Sequence, residues 1–203
     1  MILASQSPRR HQLLEELGYT LTVLPADIDE SPLDGETPVE LVGRLATQKA
    51  EASRVRAAAE KVADADGLLV AADTIVWHDG IVLGKPVDAE NARRMLTDLS
   101  GKTHYVSTGC CVMTLDTDGR AVETRTFVET CDVEFWPLNA SQVDAYVATG
   151  EPMDKAGAYG IQGLGRVLVK GIRGDYYSVV GLPVSRLYRE IQDLQTAATK
   201  AQP

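Results

Sequence analysis

The sequence predicts an α/β fold in which a mixed, twisted central β-sheet is flanked by helices. Three observations carry that expectation. Strand-like and helix-like patterns alternate along the chain, the order that builds a layered α/β domain. Leu68 to Ala72 is a continuous apolar run, as expected of a strand covered on both faces. His78-Asp79-Gly80 and Asp116-Thr117-Asp118-Gly119 each sit between alternating segments and read as hairpin turns, so the sheet is mixed.

In order along the chain, Ile2 to Ser5 reads as a first strand. Ser7-Pro8 supplies an N-cap and a proline at the first helical position, for a helix that runs to about Leu17 and stops at Gly18. Tyr19 to Leu24 alternates like a strand, and Pro25 to Glu36, which holds Asp27, Asp29, Glu30, Asp34, two prolines and a glycine, reads as an acidic loop. Thr37-Pro38-Val39-Glu40 is a capping box. It opens a long helix with Leu41, Val42, Leu45, Ala46 and Ala50 on one face. Asp64-Ala65-Asp66-Gly67 breaks the chain before the Leu68–Ala72 strand, which ends in Asp73-Thr74; a hairpin of Ile75 to Trp77 and Ile81 to Leu83 follows. Asp88 caps a helix over about Ala89 to Leu99. Long strands are expected near His104–Leu115 and Ala121–Phe135, then a helix over Ser141–Ala148. After the glycine-rich Gly157–Gly165, strands are expected near Arg166–Ile172 and Tyr177–Val180. Pro183 opens the last helix, which frays from about residue 197.

The chain has 203 residues, 44% hydrophobic and 24% charged, enough to bury a core without disulfides or a structural metal. Its net charge of −9 opposes a nucleic-acid partner, because binding a phosphate backbone needs a basic surface. The start Met-Ile-Leu-Ala-Ser offers no basic n-region, and no apolar stretch is long enough for a membrane span. The three cysteines include the adjacent pair Cys110 and Cys111, and no spacing suggests zinc, so they read as reduced core thiols of a cytoplasmic protein.

Several segments carry chemistry. Ser5 and Ser7 stand at a strand-to-helix turn, where free N–H groups and the helix dipole favour an anion. Arg9 and Arg10 in the first helical turn oppose that dipole, which a phosphate ligand would explain; a plain surface helix that starts with arginines is the alternative. Asp73 leaves the most hydrophobic strand at its carboxyl end, where a carboxylate can hold a metal or activate water, or simply cap a turn. Lys49 continues the buried stripe of Val42, Leu45 and Ala46, so its ammonium must snorkel out or meet an anion. Lys85, before Pro86, and Glu30, in the acidic loop, are unremarkable taken alone. Glu151 and Asp154 precede the glycine-rich stretch, whose glycines let backbone approach a ligand. Gln162 within it offers an amide donor and acceptor to a base edge. His104 reads as a plain strand residue.

Together these pieces resemble the Maf family of nucleoside triphosphate pyrophosphatases through nearly the whole chain. The segments that carry the likeness are Leu3-Ala4-Ser5-Gln6-Ser7-Pro8-Arg9-Arg10, Arg44-Leu45-Ala46 with Lys49-Ala50, Ala72-Asp73-Thr74, Gly84-Lys85-Pro86, Leu99-Ser100-Gly101, Asp154 to Gly163, and Val180-Gly181-Leu182-Pro183. The resemblance implies a Maf/ITPase-like, two-lobed single domain over residues 1–203 with a central cleft. It implies cleavage between the α and β phosphates with a divalent metal, Mg²⁺ or Mn²⁺, and a homodimer. Asp73 is then the proton acceptor and, with Glu30, a metal ligand, while Ser7, Arg10, Glu30, Lys49 and Lys85 line the phosphate and metal site. Within the family, the group acting on dTTP and UTP carries arginine, threonine and glutamine where the group acting on 7-methyl-GTP carries tryptophan, glutamine and glutamate. Arg9, Thr74 and Gln162 stand on the pyrimidine side. A purine-directed pyrophosphatase and a nucleotide-binding regulator of septum formation are the competing expectations.

Overall fold

The computed structural model of the chain describes residues 1–62 and 67–200. Among the described residues, seven strands form one mixed sheet in the order β2-β1-β3-β5-β6-β7, with β4 paired to β3. The strands are β1 (Ile2–Leu3), β2 (Thr22–Val23), β3 (Leu68–His78), β4 (Ile81–Leu83), β5 (Thr103–Leu115), β6 (Ala121–Phe135) and β7 (Val169–Arg173). The helices are α1 (Pro8–Glu16), α2 (Pro38–Ala59), α3 (Ala89–Leu99), α4 (Ala140–Val147), α5 (Tyr176–Val180) and α6 (Val184–Lys200). β1 runs parallel to β2 and β3, whereas the β3–β4 and β6–β7 pairs are antiparallel. The α/β class and the mixed sheet agree with the expectation, and among the described residues no helix is long and apolar enough to cross a membrane. The expected break at Asp64–Asp66 and the extreme C-terminus lie outside the described residues.

The chain forms two compact units: Met1–Asp73, Thr108–Val128 and Gly181–Pro203 make one, and Thr74–Ser107 and Glu129–Val180 make the other. The core of the first unit is built largely from small and aliphatic residues, including Ile2, Ala4, Leu24, Ala46, Ala50, Ala57, Leu69, Ala71, Cys111 and Met113. The small residues let α2 approach β5 closely. A Cβ at Gly109 would lie 2.3 Å from the Val42 carbonyl oxygen, a clash with backbone that no side-chain motion relieves. The second unit packs α3 and α4 around Phe135, Tyr146, Tyr159, Leu96 and Leu99. His104 is fully buried there, edge-on to both Phe135 and Tyr159.

Two local expectations are corrected. β3 does not end at Asp73-Thr74 but continues to His78. Its first half pairs with β1 at Leu69 and Val70, and its last residues pair with β4 from Val76 to His78. A partner at each end carries the strand through two residues that read as a turn. Tyr177–Val180 is helical, not extended. Asp175 starts that turn: its side chain accepts from the Tyr177 N–H at 3.0 Å, and its carbonyl accepts from the Ser178 N–H at 3.1 Å. Local capping outweighs the extended preference of the Tyr-Tyr-Ser-Val-Val segment.

Candidate active site

The first unit builds a compact polar centre from the β1–α1 turn, the middle of β3, the middle of α2 and the loop after β2. At the β1–α1 turn the Ser7 side chain caps α1 by accepting from the Arg10 N–H at 3.4 Å, and Ser5 Oγ accepts from the Ser7 N–H at 3.2 Å. The Arg10 side chain folds back on the same turn. Its Nη1 donates to Ser5 Oγ at 3.1 Å and its Nε to the Gly181 carbonyl at 2.8 Å. Burial lowers the Arg10 pKa, while the negative charge of Asp73 and, more weakly, of Glu30 acts in the opposite sense. A guanidinium desolvated and fixed by two oxygen acceptors is preorganised for an anion. Arg9, by contrast, is exposed on α1.

Lys49 settles the question its position raised. Its Nζ lies 2.5 Å from Asp73 Oδ1 and 2.6 Å from Glu30 Oε1. The Lys49 and Asp73 side chains are 13% and 12% exposed and that of Glu30 is 59% exposed, so the ammonium is sunk beside Asp73 and reached from solvent by the loop carboxylate. The ammonium therefore does not snorkel past its neighbours; it bridges two carboxylates, one from β3 and one from the loop.

The acidic loop that delivers Glu30 is tied down by a pair between Arg44 and Glu36. Arg44 on α2 grips Glu36 with Nε to Oε1 at 2.6 Å and Nη2 to Oε2 at 2.8 Å, and Nη2 also donates to the Ser31 carbonyl at 2.9 Å. The fork-on-carboxylate geometry is the strong form of this interaction. The Arg44 guanidinium, with the Leu33 N–H, brings the Glu36 pKa down to about 2. Eight residues separate the partners and no helical period links them, so no sequence spacing announced the contact.

Among the described residues no group of three or more His, Cys, Asp and Glu is placed to hold a metal ion. Glu30 and Asp73 nevertheless suit a hard divalent cation. Both aim oxygens at one cationic point, now taken by the Lys49 ammonium. Mg²⁺ commonly uses one or two carboxylates and completes its shell with water and substrate phosphate oxygens.

Three predicted residues lie in the second unit. Thr74 follows Asp73 in β3 and is half-buried; Lys85 is exposed ahead of the buried Pro86. Gln162 is exposed and lines an open pocket of about 500 Å³ with Arg166, Lys170, Ile172 and Tyr176 among its walls. The Gly84 carbonyl accepts from the Gly157 N–H at 3.1 Å, which ties the Lys85 turn to the start of the glycine-rich segment. Those glycines make room for the protein itself: a Cβ at Gly163 would lie 2.4 Å from the Glu151 carboxylate oxygens, and one at Gly165 would lie 2.6 Å from the Tyr146 hydroxyl.

A family model described as Maf-like protein matches residues 1–194. Among curated relatives, the dTTP/UTP pyrophosphatase of Agathobacter rectalis is 48% identical over 200 residues, covering 96% of this chain and 97% of its own. The dTTP/UTP pyrophosphatase of Halalkalibacterium halodurans is 47% identical, with 95% and 94% covered, and that of Bacillus cytotoxicus is 45% identical, with 98% of each chain covered.

Proposed function

The chain belongs to the Maf-like protein family, and we propose that it hydrolyses dTTP and UTP to the nucleoside monophosphate and pyrophosphate, limiting non-standard nucleotides. The single observation that carries this reading is the convergence of Asp73, Glu30 and Lys49 on one point in a chain similar, over nearly its full length, to dTTP/UTP pyrophosphatases.

Water attacks the α-phosphorus, its proton passes to the Asp73 carboxylate, and the bond to the bridging oxygen breaks so that pyrophosphate leaves. Such transfers are catalysed chiefly by positioning and charge stabilisation. Arg10 is held for the phosphates by Ser5 and the Gly181 carbonyl, Ser7 stands at the start of α1, and Lys49 orients Asp73. Glu30 and Asp73 would hold a divalent cation, Mg²⁺ or Mn²⁺, which when bound offsets phosphate charge as a Lewis acid. The roles of Lys85 at the phosphates and of Arg9, Thr74 and Gln162 at the base rest on the family resemblance. So do the single-domain organisation and the homodimer, while the cytoplasmic location rests on the cysteine reading.

Product analysis on dTTP with Mg²⁺ tests the reaction. The expected products are dTMP and pyrophosphate, with turnover stopped by a chelator and restored by Mg²⁺ or Mn²⁺. Asp73→Asn should lower kcat at least about 100-fold, the usual scale for a lost general base. Full activity in that variant, or release of dTDP and phosphate, would refute the mechanism.

A further inference from the structure

We propose that Tyr146 and Glu151 are positioning residues that set base selectivity by clamping both feet of the loop that presents Gln162. The inference rests on Gln162 being a base-reading residue. Tyr146, on the last turn of α4, is 5% exposed. Its hydroxyl donates to Glu151 Oε1 at 2.9 Å and accepts from the Gly160 N–H at 3.2 Å. The Glu151 carboxylate in turn accepts from the Leu164 N–H at 2.7 Å and the Gly165 N–H at 3.0 Å. One phenol and one carboxylate thus take backbone donors on either side of Gln162, two positions before it and two and three after it.

The glycines complete the device. A Cβ at Gly163 would collide with the Glu151 carboxylate, and one at Gly165 would collide with both the Tyr146 hydroxyl and the Gly160 carbonyl, 2.7 Å away. Lys155 closes the underside: its Nζ donates to the Glu151 carbonyl at 3.1 Å, and its side chain occupies the space a Gly160 Cβ would need. Burial alone would raise the Glu151 pKa, but the Gly165 and Leu164 N–H groups and the Tyr146 hydroxyl hold it below the usual carboxylate range. The acceptor therefore stays charged at neutral pH, and charged acceptors make the stronger hydrogen bonds. Gln162 itself makes none of these bonds and faces the open pocket. A loop pinned at both feet holds its amide at low entropic cost, which is what selective hydrogen bonding to a base requires.

The test uses the full chain and compares kcat/KM on dTTP with kcat/KM on dGTP for the wild type, Tyr146→Phe, Glu151→Gln, Gln162→Ala and the Tyr146→Phe/Gln162→Ala double variant. Tyr146→Phe and Glu151→Gln should each lower the dTTP-to-dGTP ratio about ten-fold, the scale of one lost hydrogen bond to a charged group, mainly through a higher KM for dTTP. In the Gln162→Ala background, Tyr146→Phe should leave the ratio where it is. If Gln162→Ala alone keeps the wild-type ratio, the base-reading role of Gln162 fails and takes the clamp with it. If Gln162→Ala lowers the ratio while neither clamp variant does, or the double variant is additive, the clamp is refuted and the role of Gln162 stands. Thermal melts of both clamp variants separate a selectivity change from loss of fold.

Discussion

At the scale of single residues, the sharpest outcome is Lys49. A lysine on the apolar stripe of a helix poses a problem that sequence can state but not solve, because the anions that answer it come from β3 and from a loop. Arg10 differs from its neighbour Arg9 for a reason equally invisible in sequence: the Gly181 carbonyl, 171 residues away, receives its Nε. If Arg9 and Gln162 read the base, Arg9→Trp with Gln162→Glu should weaken dTTP use and favour 7-methyl-GTP, since tryptophan stacks on a cationic base and glutamate accepts from guanine N–H groups. Unchanged relative kcat/KM values would remove that assignment. His104, a plain strand residue by its sequence pattern, is a buried histidine whose Nε2 lies 2.8 Å from the Tyr159 hydroxyl and whose Nδ1 has no hydrogen-bond partner among the described residues. Burial, aided by the nearby His78, lowers its pKa from 6.5 to about 4. The unfolded chain therefore binds a proton that the folded one refuses between those values, and stability is lost as pH falls from about 6.5 through about 4. Thermal melts at pH 7, 5.5 and 4 should show that decline, and His104→Gln should flatten it.

At the scale of elements, helix starts were legible because they rest on local chemistry. Ser7 caps α1, Thr37 and Glu40 form a capping box on α2, and Asp88 caps α3. Local pattern misleads where non-local pairing or a single cap overrides it, as in the run of β3 through Asp73-Thr74 and the helical turn after Asp175. The 25–36 loop is legible as a loop, but the Arg44–Glu36 fork that fixes it depends on two side chains meeting across a bend. If Glu30 holds the metal, Arg44→Met should free the loop and raise the Mg²⁺ concentration for half-maximal activity about ten-fold, the order expected when a partner supporting a metal ligand is lost. An unchanged metal requirement would show that Glu30 needs no such anchor. Glu36 has its pKa held down to about 2 from 4.5, so the fork is intact above about pH 4.5 and its contribution is lost as pH falls through about 2. Across the neutral range the loop anchor does not titrate.

At the scale of the whole molecule, an acidic chain handling an acidic substrate needs its cations concentrated, not abundant. The net charge of −9 coexists with Arg10 and Lys49 fixed near Asp73 in the first unit. A local field can oppose the molecule's overall sign. Fold class is readable from the alternation of strand and helix patterns and family from the order of short motifs, whereas the clamp around Gln162 depends on contacts that motifs do not encode. The most direct test is a nucleotide panel with Mg²⁺, measuring pyrophosphate release from dTTP, UTP, dCTP, dGTP, dATP and 7-methyl-GTP by the purified protein. The highest kcat/KM should fall on dTTP and UTP. Preference for 7-methyl-GTP or another purine, or tight nucleotide binding without turnover under either Mg²⁺ or Mn²⁺, would contradict it.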